Sequence, residues 1–271
     1  MHPTVTAIEF LPQDASPWTL VLLLAAAFAA GWIDAVVGGG GLLQLPALLL
    51  VPGITPVQAL ATNKLASIFG TTTSSINYYR AVRPSLRTAL PMAAIALLGA
   101  LGGASLAAFL PAAVFKPIIV VALVVVALIT LFKPAMGAVT RLKYRGARHL
   151  ITAVCIGGVI GFYDGLLGPG TGTFLIITLV GLIGYDFLKA SATAKIVNFA
   201  TNLGALIFFI PLGLVLWPLG LTMGVANIAG SLLGSRMAIA KGARFVRGLF
   251  LIVVAVLIVK LGFDIWNEDF R

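Results

Sequence analysis

Charge is scarce in this chain, at 10% of its 271 residues, where soluble domains carry about 25%. Acids are the rarest charges, with eight Asp and Glu against eighteen Lys and Arg. With 60% hydrophobic residues and a mean hydropathy of +1.10, the composition excludes a water-soluble fold and indicates an integral membrane protein. No polar block is long enough to fold as a separate soluble domain. Cysteine is nearly absent too: Cys155 is alone, so an intrachain disulfide is excluded, and its place in an apolar span predicts buried packing. There is no Gly-x-x-x-x-Gly-Lys-[Ser/Thr] phosphate loop, and nothing calls for a cofactor or metal. A net charge of +10 could serve nucleic acid, but the basic residues occupy short loops between apolar spans. That is the positive-inside pattern, so the expected partners are a lipid bilayer and a small solute rather than nucleic acid, with no oligomeric state implied.

What is present is a repeated phrase. Gly31-Trp-Ile-Asp-Ala-Val-Val-Gly-Gly-Gly-Gly41 returns as Gly161-Phe-Tyr-Asp-Gly-Leu-Leu-Gly-Pro-Gly-Thr171, so that Gly31, Asp34, Gly38 and Gly40 recur as Gly161, Asp164, Gly168 and Gly170. Ala61-Thr62-Asn63-Lys64 is echoed by Ala192-Thr193-Ala194-Lys195, and Gly99-x-x-x-Gly103 by Gly230-x-x-x-Gly234. Anchors in one order at nearly constant offset predict one membrane domain, 1–271, made of two halves. Repeat one covers about 18–132, repeat two about 150–264, and a basic linker at 133–149 joins them.

Each half reads as five helical segments, about ten in all. The first half gives spans at 18–37, 57–79, 88–110 and 113–132, with a short segment at 42–52. The second gives 150–167, 189–210, 217–237 and 245–263, with a short segment at 173–184. At 1.5 Å per residue the short segments do not comfortably cross a bilayer, so they read as halves of broken or re-entrant helical pairs. The start of the chain, with Glu9 and Asp14 and no basic region before the first span, does not read as a cleaved signal peptide. Residues 80–87, 133–148, 186–189 and 236–247 carry the basic loops and fall on one side, which the charge rule makes cytoplasmic. Both termini are then expected outside. An odd number of segments per half inverts the second repeat relative to the first, an architecture common among secondary transporters.

Four ionisable residues lie deep in apolar segments: Asp34, Lys64, Asp164 and Lys195. Such a residue costs about 2.5–3.5 kcal/mol at the bilayer centre on insertion scales and is a functional candidate by default. The bland alternative is a pair of salt bridges, Asp34 with Lys64 and Asp164 with Lys195, tying the first and third segments of each half. Gly38, Gly39, Gly40 and Gly41, and Gly168, Gly170, Thr171 and Gly172, lead into the short helices, whose first amides lack intrahelical partners and suit an oxyanion. A tight turn is the alternative role for the glycines. Beside them, Asn63, Ser67 and Thr71 share one helical face, as do Asn198 and Asn202. The candidate solute site is therefore these glycines with Thr171, Asn63, Lys64, Ser67, Lys195, Asn198 and Asn202, and Asp34 and Asp164 are candidate proton carriers. Gly40 and Gly170 are expected to matter for solute binding more than for folding. The two Gly-x-x-x-Gly pairs read as helix-packing surfaces.

At these residues the chain resembles the sulfite exporter TauE/SafE family of membrane permeases, most closely its YfcA-like branch. The resemblance rests on Gly-x-Ile-Asp-x-x-x-Gly-Gly-Gly-Gly at 31–41, Leu-Pro-Ala-Leu at 45–48, Ala-Thr-Asn-Lys at 61–64, Gly-Phe-Tyr-Asp-Gly-x-x-Gly-Pro-Gly-Thr-Gly at 161–172 and Ala-Lys at 194–195. It implies a bacterial cytoplasmic-membrane protein, not an enzyme, that moves small anions, commonly sulfur-containing ones such as sulfite or organosulfonates. Ala194 where the first half has Asn63, and Pro169 where it has Gly39, make the halves unequal. An anion channel remains an alternative, as does an intramembrane aspartyl protease, although Gly31-Trp-Ile-Asp34 lacks the Gly-x-Gly-Asp expected of that class.

Overall fold

The structure, a computed structural model, describes residues 17–110 and 139–269, and its ordered elements are all helical. The segment expected at 113–132 and the start of the linker lie outside the described residues. The first half supplies α1 (Pro17–Val37), α2 (Gly41–Leu49), α3 (Pro56–Val82) and α4 (Leu86–Ala107). The second supplies α5 (Gly146–Leu166), α6 (Thr171–Thr178) running into a π-helical turn at Leu179–Ile183, α7 (Phe187–Phe209) and α8 (Trp217–Asp269). The two expected spans, 217–237 and 245–263, lie in two helical stretches of α8 that meet at a non-helical Gly242, where φ is 73°. A glycine there lets the chain bend without a connecting loop.

Trp18–Val37, α4, α5 and α7 are long and apolar enough to cross a membrane. Apolar side chains such as Leu22, Leu98, Val159 and Val225 stand exposed on α1, α4, α5 and α8, as lipid-facing residues do where no water competes. Cys155 is on this outer surface. That corrects its expected burial: α5 turns Gly157 and Gly161 toward α4, leaving position 155 on the opposite face. The long α3 is more polar because it lies inside, with Thr62, Asn63, Lys64, Thr71 and Ser74 all buried.

Local signals start and stop these helices. Thr55 caps α3 in a reciprocal box with Gln58, and Asp186 caps α7 by accepting from the Lys189 amide at 2.9 Å, each satisfying amides that the first turn leaves over. Thr140 donates to Asp186 at 2.5 Å, and the Arg141 and Lys143 amides donate to Gly184 and Ile183. The last part of the linker is therefore tied to the start of α7.

Packing exchanges helices between the halves. A Cβ on Gly99 would meet the Gly158 carbonyl of α5 at 2.6 Å, and one on Gly103 the Phe162 carbonyl at 2.0 Å. In the same manner Gly230 and Gly234 bring α8 onto the Phe28 and Trp32 carbonyls of α1. The fourth helix of each half thus lies against the first helix of the other, on the small-residue surfaces read from the sequence.

Two apolar clusters flank the middle of the molecule. One gathers Tyr78, Met92, Ile183, Tyr185, Phe187, Ala238 and Val246; the other gathers Leu23, Val51, Leu60, Ala107, Phe209, Val215 and Leu219. The first lies at the end that carries Arg80, Arg83, Arg87, residues 139–149 and Lys241, and there Thr88 and Tyr185 both contact His149 Nε2, at 3.1 and 3.4 Å. The connections at the other end, 50–55 and 210–216, hold no charged residue.

The helix exchange predicts a sharp contrast on a single turn of α4. Gly103→Ala should lose about 1–3 kcal/mol by overpacking against the Phe162 carbonyl. Gly102→Ala, whose nearest neighbour would be a Phe162 ring carbon at 3.8 Å, should be neutral or slightly stabilising. Melting of the purified variants in detergent measures both.

Candidate functional site

The two glycine phrases meet. Each first helix ends at a glycine in the left-handed region, Gly38 at φ 86° and Gly168 at φ 87°, a conformation that costs glycine little. A Cβ on Gly38 would lie 2.2 Å from the Gly172 backbone, and one on Gly172 would lie 2.6 Å from Gly38 Cα. The Thr173 amide donates to the Gly38 carbonyl at 3.0 Å, and its hydroxyl to the Val37 carbonyl at 3.2 Å. One of the first-turn amides expected to be free for a ligand thus joins the two tips instead.

Around this crossing the four intramembrane charges form two ion pairs. Lys64 Nζ lies 2.7 Å from Asp164 Oδ1, and Lys195 Nζ lies 2.9 Å from Asp34 Oδ2. Both pairs run between halves. This corrects the expected alternative of Asp34 with Lys64 and Asp164 with Lys195: because the tips cross, the third helix of each half faces the first helix of the other. Lys64, Lys195 and Asp164 are at most 2% exposed, while Asp34 is 13% exposed.

The pairs differ in detail. Lys195 also donates to the Asp34 backbone carbonyl, at the end of α1. Lys64 lies over the Gly168 backbone, where a Cβ would stand 3.1 Å from its Nζ. Asp164 Oδ1 further accepts from the Thr171 hydroxyl at 2.5 Å, whereas Asp164 Oδ2 and Asn63 Oδ1 are buried without partners among the described residues.

Asp34, Gly38, Gly41, Asn63, Lys64, Ser67, Asp164, Gly168, Gly170, Thr171, Gly172, Asn198 and Asn202 together line a cavity of about 20 Å³. That is room for about one water, which needs roughly 10–15 Å³, so the centre is closed to any oxyanion. Three of the sequence candidates stand elsewhere. Lys195 lies behind Asp34, Gly39 packs beside Leu42 and Ile33, and Gly40 packs against α1, where a Cβ would meet the Ala30 carbonyl and Asp34 Cβ at 2.7 Å. Gly170 has φ 77°. Substitution at Gly40 or Gly170 therefore strains the fold itself, contrary to the expectation that these glycines matter chiefly for solute.

Other polar groups brace the walls. Asn202 donates to Thr71 at 3.4 Å, linking α7 to α3. Asn227 of α8 donates to Gln44 at 2.9 Å and to the Ala27 carbonyl at 3.1 Å, leaving Gln44 Nε2 buried and unpartnered. Asn227 escapes the sequence reading, although an amide midway along an apolar span is itself a signal. Among the described residues no cluster of His, Cys, Asp or Glu could hold a metal.

The chain was compared with known proteins. The family model for the sulfite exporter TauE/SafE matches residues 23–261. A protein of Sinorhizobium named "Probable membrane transporter protein ORF9" is 41% identical over 249 residues, 92% of this chain and 94% of the relative. The Escherichia coli K12 protein named "Probable membrane transporter protein YfcA" is 37% identical over 254 residues, 94% of this chain and 93% of the relative. A "Probable membrane transporter protein" of Haemophilus influenzae is 34% identical over 245 residues, 90% and 95% of the two chains. No solved structure matches the chain.

Crossed pairing gives a test by rearranged double substitution. Asp34→Asn alone leaves Lys195 buried without its counter-charge and should lose about 3–5 kcal/mol. Adding Lys195→Met should recover most of that loss, and adding Lys64→Met should not. Equal recovery by both in thermal melts would disprove the crossing.

Proposed function

This chain belongs to the sulfite exporter TauE/SafE family of membrane transporters, and from that premise we propose that it is a secondary transporter of small anions, sulfur oxyanions or organosulfonates, working by alternating access with proton coupling. The observation that carries the proposal is the cavity wall. The Lys64–Asp164 pair, Asp34 with Lys195 behind it, two glycine tips and a set of amide and hydroxyl side chains from both halves converge on one buried point. Gly41, Gly170, Thr171 and Gly172 bring the starts of two short helices to it, and such starts favour anions. In this reading Lys64 and Lys195 supply positive charge, with Asn63, Ser67, Asn198 and Asn202 as hydrogen-bonding partners and Asp34 or Asp164 as the proton carrier.

The closed cavity implies that the halves must separate on one side to admit solute. In the proposed architecture repeat one, about 18–132, and repeat two, about 150–264, are inverted relative to each other and joined by 133–149. Matched contacts support this: α4 on α5 mirrors α8 on α1, and α4 on α7 mirrors α8 on α3. The protease alternative is disfavoured because Asp34 and Asp164 each engage a lysine rather than form a shared-proton dyad.

Reconstituted into liposomes, the protein should move sulfite, thiosulfate or methanesulfonate with saturable kinetics and counterflow. Non-saturating flux without counterflow would mean a channel, and the absence of flux for all these anions would refute the solute class.

In the same reading the basic end faces the cytoplasm of a bacterial inner membrane and both termini lie outside, which the uneven distribution of charge between the two ends supports. In a Cys155→Ser background, cysteines at 84, 143 and 242 should react only from the cytoplasmic side, and those at 54 and 214 only from outside. Labelling of 143 from outside would overturn the orientation.

A further inference from the structure

Building on the anion-transport reading, we propose that the two crossed ion pairs have different jobs. The Lys64–Asp164 pair opens to receive the anion while Asp164 takes up one proton, and the Lys195–Asp34 pair remains closed as a structural clasp.

The asymmetry is geometric. Lys195 holds both the Asp34 carboxylate and the Asp34 carbonyl, and that carbonyl also accepts from the Gly38 amide at 2.9 Å. Its Nζ thus binds the carboxylate together with the carbonyl end of α1, where the helix dipole favours a cation. Removing it would break several bonds at once, and it lies off the cavity wall. Among the described residues Lys64 has one partner, Asp164 Oδ1, and an ammonium offers three donors. It lies on the wall, over a glycine backbone, with donors to spare for a ligand.

The acids differ in the same sense. Asp34 is partly exposed and keeps water as an alternative partner when charged. Asp164 is 2% exposed, and its Oδ2 has no partner, like Asn63 Oδ1 on the same wall. A buried carboxylate that loses its counter-ion is costly, and protonation removes the charge while supplying a donor to a cavity whose wall also carries the unpartnered Asn63 Oδ1. The titratable groups around Asp164 are Lys64 on α3, Asp34 on α1, Lys195 on α7 and Tyr163 on α5, whose hydroxyl donates to the Pro169 carbonyl. On the packed faces α4 presents Ala96 and Ala100 to α5, and α6 presents the Thr171 hydroxyl.

The charges balance. Before entry, Lys64 and Asp164 sum to zero. Afterwards Lys64 neutralises a singly charged anion and Asp164 is a neutral acid, so the centre again sums to zero. A dianion would leave it at minus one. The site therefore favours monoanions, such as sulfonates or a singly protonated oxyanion, each accompanied by one proton.

Infrared spectroscopy of the purified protein at neutral pH tests this directly. K64Q should gain the carbonyl stretch of a buried protonated carboxyl group, and K64Q/D164N should lack it. Adding methanesulfonate, which does not titrate near neutrality, should raise the same band in the wild type and not in D164N, and sulfate should do so weakly. If K64Q has no such band, or if the ligand-induced band persists in D164N and is removed by Asp34→Asn, the assignment is overturned. A wild type that responds to no anion would count against the transport reading, and the K64Q comparison would still decide whether Asp164 is the exchangeable acid.

Discussion

Four charges inside an apolar body must be compensated where water cannot reach, and here neither half of the chain can do it alone. Lys64 of the first half neutralises Asp164 of the second, and Lys195 of the second neutralises Asp34 of the first. Breaking such a buried pair costs several kcal/mol. The rest of the arrangement serves this exchange. The glycine tips must touch for the third helices to reach across, and only residues without side chains allow Gly38 and Gly172 to approach so closely. Small residues on α4 and α8 then let each half grip the other's first helix. The residues at the centre thus hold the two halves together.

Much of this was legible because membrane sequences make polar exceptions conspicuous. Asp34, Asp164 and the glycine runs stood out against an apolar background, and their recurrence marked one place built twice. The short helices were readable from length. The distribution of arginine and lysine marked the ends of the helices. Partners were harder. Spacing fixes which side of a helix a residue occupies but not which helix it meets, so Asp34 and Lys64, close in sequence, invited the wrong pairing. Cys155 misled for a similar reason: an apolar span has a lipid face as well as a protein face, and hydropathy alone does not distinguish them. Gly40 stands off the cavity, packed against α1, and a glycine cluster does not reveal which of its members are needed for packing. Asn227 was overlooked as a lone amide, although it braces Gln44 and α1.

The unequal halves matter as much as the shared plan. Pro169 stands where the first half has Gly39, and Gly170 is left-handed where Gly40 is helical. Thr171 supplies Asp164 with a hydroxyl, and Asp34 has a water-accessible edge instead. Two similar phrases therefore give the two acids different surroundings.

The crossed pairing also sets a timetable for biosynthesis. Asp34 leaves the ribosome 161 residues ahead of Lys195, and at about 5–20 residues per second this is a wait of roughly ten to thirty seconds. During that interval α1 must remain in the insertion machinery or at its lipid border with an unclaimed carboxyl group, and the surface meant for α8 is vacant. Nascent chains stalled between the two halves would therefore carry an unsatisfied acid and an uncovered surface on α1. The gene's order, more than its composition, determines when this protein becomes safe in a bilayer.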